Sequence, residues 1–260
     1  MSALQTARSG LDAQDMRMRV ISNNLANVNT TGFKRDRADF QTLMYQNVRQ
    51  AGAQSSQETQ LANGMNVGTG VKIVGTERIY TQGAMVSTER PLDIAISGDG
   101  FFQVDMPDGR TAYTRAGNFA MDNEGKLVTS EGYPVQPAIT IPKGTQSITI
   151  GSDGTVSATL AGENNATQIG QIQIASFMNP SGLQPLGRNL LAETTASGAP
   201  QVGTPGTDGL GTLAQNSLEA SNVNMVEELV DMIETQRAYE INSKVINTVD
   251  GMMQYVTQNL

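Results

Sequence analysis

Cysteine, histidine and tryptophan are all absent from this chain of 260 residues. Without cysteine the chain has no disulfides, no thiolate nucleophile and no cysteine-ligated metal. Without histidine it lacks the commonest general base and transition-metal ligand. An enzyme that uses carboxylates alone stays possible. We therefore expect no cofactor and no metal site, and we favour a structural or binding role over catalysis.

Long hydrophobic runs are also missing. No apolar run reaches the ~18 residues that a membrane span requires. Residues 1–11 lack the basic n-region and the apolar h-region of a secretory signal. The sequence predicts a protein that is not inserted in a membrane. If it works outside the cytoplasm, we expect it to be exported without a cleaved Sec signal.

Positive charge is scarce, since the formal net charge is −8. This balance argues against a nucleic-acid partner. The charge is uneven, because residues 1–40 carry a net +2 and residues 219–260 a net −5. The two ends could attract each other, or each could be an ordinary solvated face. Exposed ion pairs contribute only about 0–1 kcal/mol each, so they would favour partner and register more than stability.

The N-terminal segment has the periodicity of a long amphipathic helix, which we predict from about Ser2 to about Asn27. Small or apolar side chains occupy almost every a and d position of a heptad pattern, with Gln14 as the polar exception. The two series are Leu4, Leu11, Met18 and Leu25, and Ala7, Gln14, Ile21 and Val28. Such a stripe predicts a helix that pairs with another helix and with copies of the chain.

The C-terminal segment predicts a second long helix, running close to Gln258. Asn224 is a suitable N-cap, and Glu227 lies three residues further on, as in a capping box. The aliphatic stripe of this helix consists of Val226, Leu229, Ile233, Ile241, Val245, Val249, Met252 and Val256. We expect both stripes to form subunit interfaces.

Between the helices the chain is rich in glycine and turns. Residues 47–70 are polar and nearly uncharged, which fits either a disordered linker or a long loop that orders against a neighbouring subunit. From residue 71 to about 213, short alternating runs are broken by Asp-Gly and Glu-Gly pairs, the signals of β-hairpins. The predicted fold is α+β, with long terminal helices pairing as a coiled coil and a central antiparallel β-rich domain. The predicted segments are 1–35, 36–70, 71–215 and 216–260.

The sequence gives little support for an enzyme or an adhesin. Asp93, Asp99, Asp105 and Asp108 lie close together in sequence and could flank a sugar as a glycosidase pair. Most of them fall on turns or strand ends, where aspartate is ordinary. An adhesin would need an exposed aromatic patch, and the chain has only six Tyr and six Phe. Both alternatives rank below a structural subunit.

Several segments resemble the signatures of bacterial flagellar rod and hook proteins. They lie at both ends and in the middle, in the order that family has: Ser22–Lys34, Gly98–Val104, Tyr113–Phe119, Glu219–Asn224, Glu227–Ile233 and Gln236–Asn242. The motif positions we carry over are Asn24, Asn27, Thr30, Gly32, Phe33, Asn222, Asn224, Glu227, Gln236, Arg237 and Tyr239. Residues 52–56, 68–71 and 135–142 resemble the distal rod member, while a proximal rod or hook subunit is the alternative.

The resemblance implies a structural subunit, not an enzyme. Such subunits leave the cell by flagellar type III export and assemble into a helical tube in the basal body, which spans the periplasm. The tube transmits motor torque to the hook, and export substrates pass through it. Expected partners are copies of the chain, proximal rod proteins, hook or hook-junction subunits, and the surrounding peptidoglycan and outer-membrane rings. We further expect residues 47–70 to wedge between subunits and keep the tube straight.

Overall fold

The structure is a computed structural model that describes residues 2–50, 62–162 and 165–258. Two long helices stand at the ends, α1 (Ser2–Ala26) and α2 (Met225–Gln258). Strands fill the middle of the chain. The prediction of an α+β fold with terminal helices and a central β-rich region is therefore confirmed.

The chain divides into two compact units. The first, the helical unit, consists of the described residues within Met1–Ala26, Asp36–Glu77 and Asn224–Leu260. Besides α1 and α2 it contains strands β1 (Asp36–Thr42), β2 (Tyr45–Arg49), β3 (Met65–Gly68) and β4 (Val71–Arg78). Strand β1 pairs with β4, and β2 pairs antiparallel with β3.

The second unit, the β body, consists of Asn27–Arg35 and Arg78–Val223. Its strands β5 to β12 are Met85–Ser87, Ile94–Ser97, Phe101–Asp105, Thr111–Thr114, Ala120–Met121, Leu127–Val128, Val135–Gln136 and Thr145–Ile150. Strands β13 to β20 are Thr155–Leu160, Thr167–Gln171, Ile174–Ser176, Gln184–Gly187, Leu190–Ala192, Gln201–Gly203, Thr212–Gln215 and Ser217–Glu219. The largest sheet runs β16-β17-β8-β7-β15-β18, with β11 also on β7.

The pairings between these strands are antiparallel, as the turn signals predict. The hairpin β12–β13 shows why. Asp153 and Gly154 form the turn, where Gly154 has φ of +83° and the Asp153 carboxylate accepts hydrogen bonds from Thr155. Ile150 then pairs with Val156, so the buried face of both strands is in register.

Side-chain alternation along β7 divides the core of the β body into two clusters. Phe102 and Val104 are fully buried on one face of the sheet, and Phe102 joins the larger cluster with Phe119. Phe101 points to the other face and packs edge-on against Phe177. This alternation is the period of two that a strand imposes. The core therefore lies on both sides of one sheet.

Candidate assembly surfaces and buried polar networks

The two terminal helices pack against each other in antiparallel fashion. The Asn24 amide lies 3.2 Å from Oε1 of Glu228, and an Arg17 guanidinium nitrogen lies 3.1 Å from Oδ1 of Asp231. Further towards the start of α1, a side chain at Gly10 would meet Asn242. Contacts nearer the start of α1 are thus made with residues nearer the end of α2. The helices pair, although a coiled-coil geometry stays a prediction.

The most buried positions of the two helices are mainly small or polar. On α2 the buried positions are Glu228 and Thr235, one heptad apart. On α1 the most buried positions are Ala13, Ile21 and Asn24. The predicted α1 stripe residues Leu4, Leu11, Met18 and Leu25 are half-buried. Few large apolar side chains of the two helices are therefore fully buried in the single chain.

The aliphatic stripe of α2 faces away from the seam between the helices. At 100° per residue, Val226 and Ile233 lie on the side of the helix opposite Glu228 and Thr235. Their exposed fractions are 69% and 50%. Leu229, Ile241, Val245 and Met252 are also exposed, Val249 is half-buried, and the side chain of Val256 lies outside the described residues. Most of the predicted α2 interface is thus uncovered in the single chain.

The hairpin β2–β3 presents further uncovered apolar surface. All five residues of β2 are exposed, including Tyr45 at 63% and Val48 at 61%. Met44 and Met65 are exposed beside them. The residues joining the two strands, 51–61, lie outside the part of the chain that the structure describes. Within the described residues of the predicted 47–70 segment, the chain thus contributes to a two-stranded antiparallel pair with exposed apolar side chains.

Asn24 ties the end of α1 to the following strand and to α2. Its Oδ1 accepts a hydrogen bond from the Asp36 backbone N–H at 2.9 Å, and its Nδ2 donates to the Asp36 carbonyl and to Glu228. The side chain is 2% exposed. A buried amide with its donors and acceptor all satisfied fixes one geometry. This motif residue therefore sets where the chain leaves the helix.

Asn222 does the same work in the β body. Its Oδ1 accepts from the Arg35 backbone N–H at 2.7 Å, and its Nδ2 donates to the carbonyls of Ile79 at 2.9 Å and Thr81 at 3.1 Å. The Asn222 side chain thus connects its own segment to residue 35 and to residues 79–81, which are distant from it in sequence. Two residues later, Asn224 accepts a hydrogen bond from the Val226 N–H, which confirms the predicted N-cap of α2.

Glu219 is the centre of a buried ion network that sequence reasoning missed. The carboxylate is fully buried and accepts hydrogen bonds from Lys34 Nζ at 2.6 Å, Arg115 Nε at 2.8 Å and the Gly83 N–H at 2.9 Å. Burial lowers the pKa of Lys34, while the hydrogen bond and the charge of Glu219 act in the opposite direction. The network joins the N-terminal segment, the C-terminal segment and the middle of the β body.

Gly32 shows why the N-terminal motif needs a glycine. Its φ is +69°, and a Cβ built there would lie 2.8 Å from the backbone of Arg115. Its N–H donates to the Glu219 carbonyl at 2.8 Å. Phe33 is buried next to it, with the Arg78 guanidinium over its ring. The remaining N-terminal motif residues, Asn27 and Thr30, are hydrogen-bonded to each other, and Val28 is half-buried.

The C-terminal motif residues of α2 lie mainly on its surface. Glu227, Gln236, Arg237 and Tyr239 are all exposed. Their part in assembly stays a prediction.

The β body contains no arrangement that we can read as a catalytic centre among its described residues. Two of the aspartates considered as a sugar-cleaving pair lie in different surroundings. Asp93 is buried, whereas the Asp108 carboxylate accepts a hydrogen bond from Arg110 at the surface. Burial and the neighbouring Glu193 raise the pKa of Tyr113 to about 12, which leaves it a neutral hydroxyl. Across the described part of the chain, no group of three acidic side chains could hold a metal ion. Neither helix is long and apolar enough, over the residues described, to cross a membrane.

Comparison with known protein families matches three separate parts of the chain. Residues 4–34 match the flagella basal body rod protein model, and residues 95–158 match the D1 domain of the flagellar hook proteins FlgE, FlgF and FlgG. Residues 214–259 match the C-terminal model of the flagellar basal body rod proteins FlgE, FlgF and FlgG. These matches cover most of α1, the whole of α2 and part of the β body. They define a flagellar rod and hook protein.

Relatives that match over nearly the full length show which member of the flagellar rod and hook proteins this chain resembles. The chain is 55% identical to the flagellar basal-body rod protein FlgG of Buchnera aphidicola subsp. Schizaphis graminum over 98% of both chains. It is 50% identical to FlgG of Caulobacter vibrioides over 99% of both, and 42% identical to FlgG of Bacillus subtilis over 97% of this chain and 96% of that protein. The chain belongs to the FlgG family of flagellar basal-body rod proteins.

Proposed function

We propose that this chain is the structural subunit of the distal rod of a bacterial flagellum. Copies polymerise through their helical units into a helical tube that transmits motor torque to the hook, and export substrates pass through its lumen. The observation that supports this proposal best is the exposed aliphatic stripe of α2. A row of valine, leucine and isoleucine side chains turned away from its own partner helix is surface that a neighbouring copy would cover.

Assembly through this stripe would couple helix formation to polymerisation. Isolated helices are marginal in water, and a helix in a protein owes most of its stability to packing of its apolar face, which here is largely exposed in the single chain. The seam between α1 and α2 would set their register, while the outward stripes form coiled-coil contacts between copies. This division supports the predicted interface residues of α2 as contacts between subunits rather than within one.

The hairpin β2–β3 has a separate part in this proposal. Its apolar side chains are exposed on a two-stranded arm with little core of its own. We propose that residues 47–70 lie between neighbouring subunits and keep the tube straight. Deleting this segment should then give curved polymers, and straight polymers from the deletion would contradict the idea.

The position of the rod gives the remaining partners. The tube would sit in the basal body and span the periplasm after type III export without a cleaved Sec signal. It would contact proximal rod proteins below, hook or hook-junction subunits above, and the peptidoglycan and outer-membrane rings around it. A structural role of this kind involves no catalysis and no cofactor.

Substitution in the stripe tests the proposal directly. Ile233→Asp places a charge in the centre of the stripe, at a position that is 50% exposed in the single chain. The monomer should keep its fold, while electron microscopy of concentrated protein should show tubes for the unaltered chain and none for the variant. Ile233→Val keeps an aliphatic side chain at the same position and is the matched control, which should still form tubes. Tubes from Ile233→Asp at the concentration that suffices for the unaltered chain would refute assembly through this stripe.

A further inference from the structure

One asparagine of the helical unit directly precedes a glycine. In such a pair, the backbone nitrogen of the second residue can attack the side-chain carbonyl carbon of the asparagine, and a small second residue hinders this attack least. Three asparagines of the chain are followed by glycine or serine, namely Asn63, Asn216 and Asn242. Asn63 is the one that glycine follows. These three pairs are therefore the candidates for chemical loss of a side-chain amide.

The structure leaves the pair Asn63 and Gly64 open to this attack. Residues 62–64 belong to no helix or strand, and all three are exposed. No residue of the described chain accepts a hydrogen bond from the Gly64 N–H, and none bonds to the Asn63 side chain. Gly64 has no Cβ, which widens the backbone angles that the pair can reach. The two reacting atoms can therefore meet without the loss of a hydrogen bond among the described residues.

The other two pairs are held in regular structure. Ser217 begins strand β20, and its N–H donates to the Asp93 carbonyl at 3.3 Å. Asn242 and Ser243 lie inside α2, where each backbone N–H donates to the carbonyl four residues earlier. Attack by either serine nitrogen must therefore first break a backbone hydrogen bond. The fold thus protects two of the three candidates and leaves Asn63 unprotected.

We propose that Asn63 is a site of spontaneous deamidation in the unassembled chain. The Gly64 nitrogen bonds to the Asn63 side-chain carbonyl carbon, the bond from that carbon to the amide nitrogen breaks, and ammonia leaves with the proton of the Gly64 N–H. Water then opens the cyclic succinimide at either of its two carbonyls. The products are aspartate and isoaspartate, in which the main chain runs through the side-chain carbon. The reaction needs only the chain and water.

The modification changes the charge of the pair β2–β3. These two strands contain Arg49 and no acidic residue. Strand β3 begins at Met65, two residues after Asn63, and Met65 is 56% exposed. Either product therefore places a carboxylate next to exposed apolar surface. An aged copy would bring this charge into the contact that residues 47–70 are proposed to make with a neighbour, a consequence that rests on the proposed function.

Mass spectrometry of the purified chain, incubated near neutral pH, tests the site. The peptide that contains Asn63 should gain the mass of NH2 replaced by OH and should separate into aspartyl and isoaspartyl forms. Asn216 and Asn242 are internal references and should react roughly tenfold more slowly, since a backbone hydrogen bond must first break. Gly64→Ala, at an exposed position, should slow the reaction of Asn63 roughly tenfold as well. Equal rates at the three asparagines, or an aspartyl product alone at Asn63, would overturn the proposal.

Tube formation measures the consequence separately. Asn63→Asp carries the charge of one product and should raise the protein concentration needed for tubes roughly tenfold, because an unpaired charge in a contact is costly. Asn63→Gln keeps a neutral amide and should assemble like the unaltered chain. Normal assembly of Asn63→Asp would overturn the placement of residues 47–70 between subunits, while an intact Asn63 in the aged monomer would overturn the modification site. The two failures are therefore distinguishable.

Discussion

Replacing Glu219 by glutamine should destabilise the β body strongly, because Glu219 is the buried anion that neutralises two buried cations. The substitution keeps the size of the side chain and removes its charge. Lys34 and Arg115, whose side chains are 3% and 4% exposed, would then be buried without a counter-charge. Breaking a buried ion pair by removing one partner costs about 3–5 kcal/mol. Carbonyl acceptors remain for both cations, so we expect the lower part of that range, about 3 kcal/mol.

Urea unfolding of the full chain, followed by circular dichroism, measures this effect. With a slope of about 2 kcal/mol per molar urea, a loss of about 3 kcal/mol lowers the unfolding midpoint by roughly 1.5 M. Glu124→Gln is the matched control, because Glu124 pairs with Lys126 at the surface and should contribute only about 0–1 kcal/mol. Adding Lys34→Met to Glu219→Gln should restore part of the stability, since it removes one unpaired cation. A midpoint for Glu219→Gln within about 0.3 M of the unaltered chain would refute the argument.

Three further predictions follow from the described contacts. Arg17→Asp should lower the unfolding free energy of the helical unit by about 1 kcal/mol, and adding Asp231→Arg should restore it; no recovery in the double variant would mean that the pair sets no register. Gly32→Ala should destabilise the β body, because φ is positive there and the added Cβ meets backbone, so an unchanged thermal midpoint would contradict the geometry. Hydrogen bonds from Thr155 lower the pKa of Asp153 below 3.8, so this contribution is present above that pH and is lost as pH falls through the lower folded value; urea midpoints between pH 2 and 5 should fall less for Asp153→Asn.

The sequence predicts the elements well where local chemistry decides them. Asn224 marks the start of α2 because a side-chain oxygen must satisfy the first free N–H groups of a helix. Asp153 and Gly154 mark a hairpin because only certain residues accept the backbone angles of a tight turn. In both cases the determining contacts lie within a few residues, so the local sequence is enough to predict the element.

The seam between the helices could not be predicted in the same way. Periodicity identifies which face of α2 is apolar, but it cannot say whether α1 or another chain covers that face. In the structure Glu228 and Thr235 face α1, while Val226 and Ile233 face away from it. The same heptad positions are apolar whether a helix packs against its own chain or against another copy. Only the three-dimensional arrangement separates them.

The buried ion network was missed for a different reason. Lys34, Arg115 and Glu219 are separated by many residues, and single charged side chains usually lie in solvent. One signal was present, since each lies in a different one of the six segments that resemble the rod and hook family. Opposite charges that occur once in each of several motifs are candidates for a shared buried site.

The network around Glu219 also has a consequence for the timing of folding. It requires residue 34, residue 115 and residue 219 at once, so nearly the whole length of a 260-residue chain must be present before the β body can neutralise its buried charges. A chain that emerges gradually from a narrow channel, amino end first, would hold two unneutralised cations in an open body until the last fifth arrives. The β body would then finish folding only when most of the chain has left the channel. Folding inside the channel would be disfavoured by the same charges that later stabilise the fold.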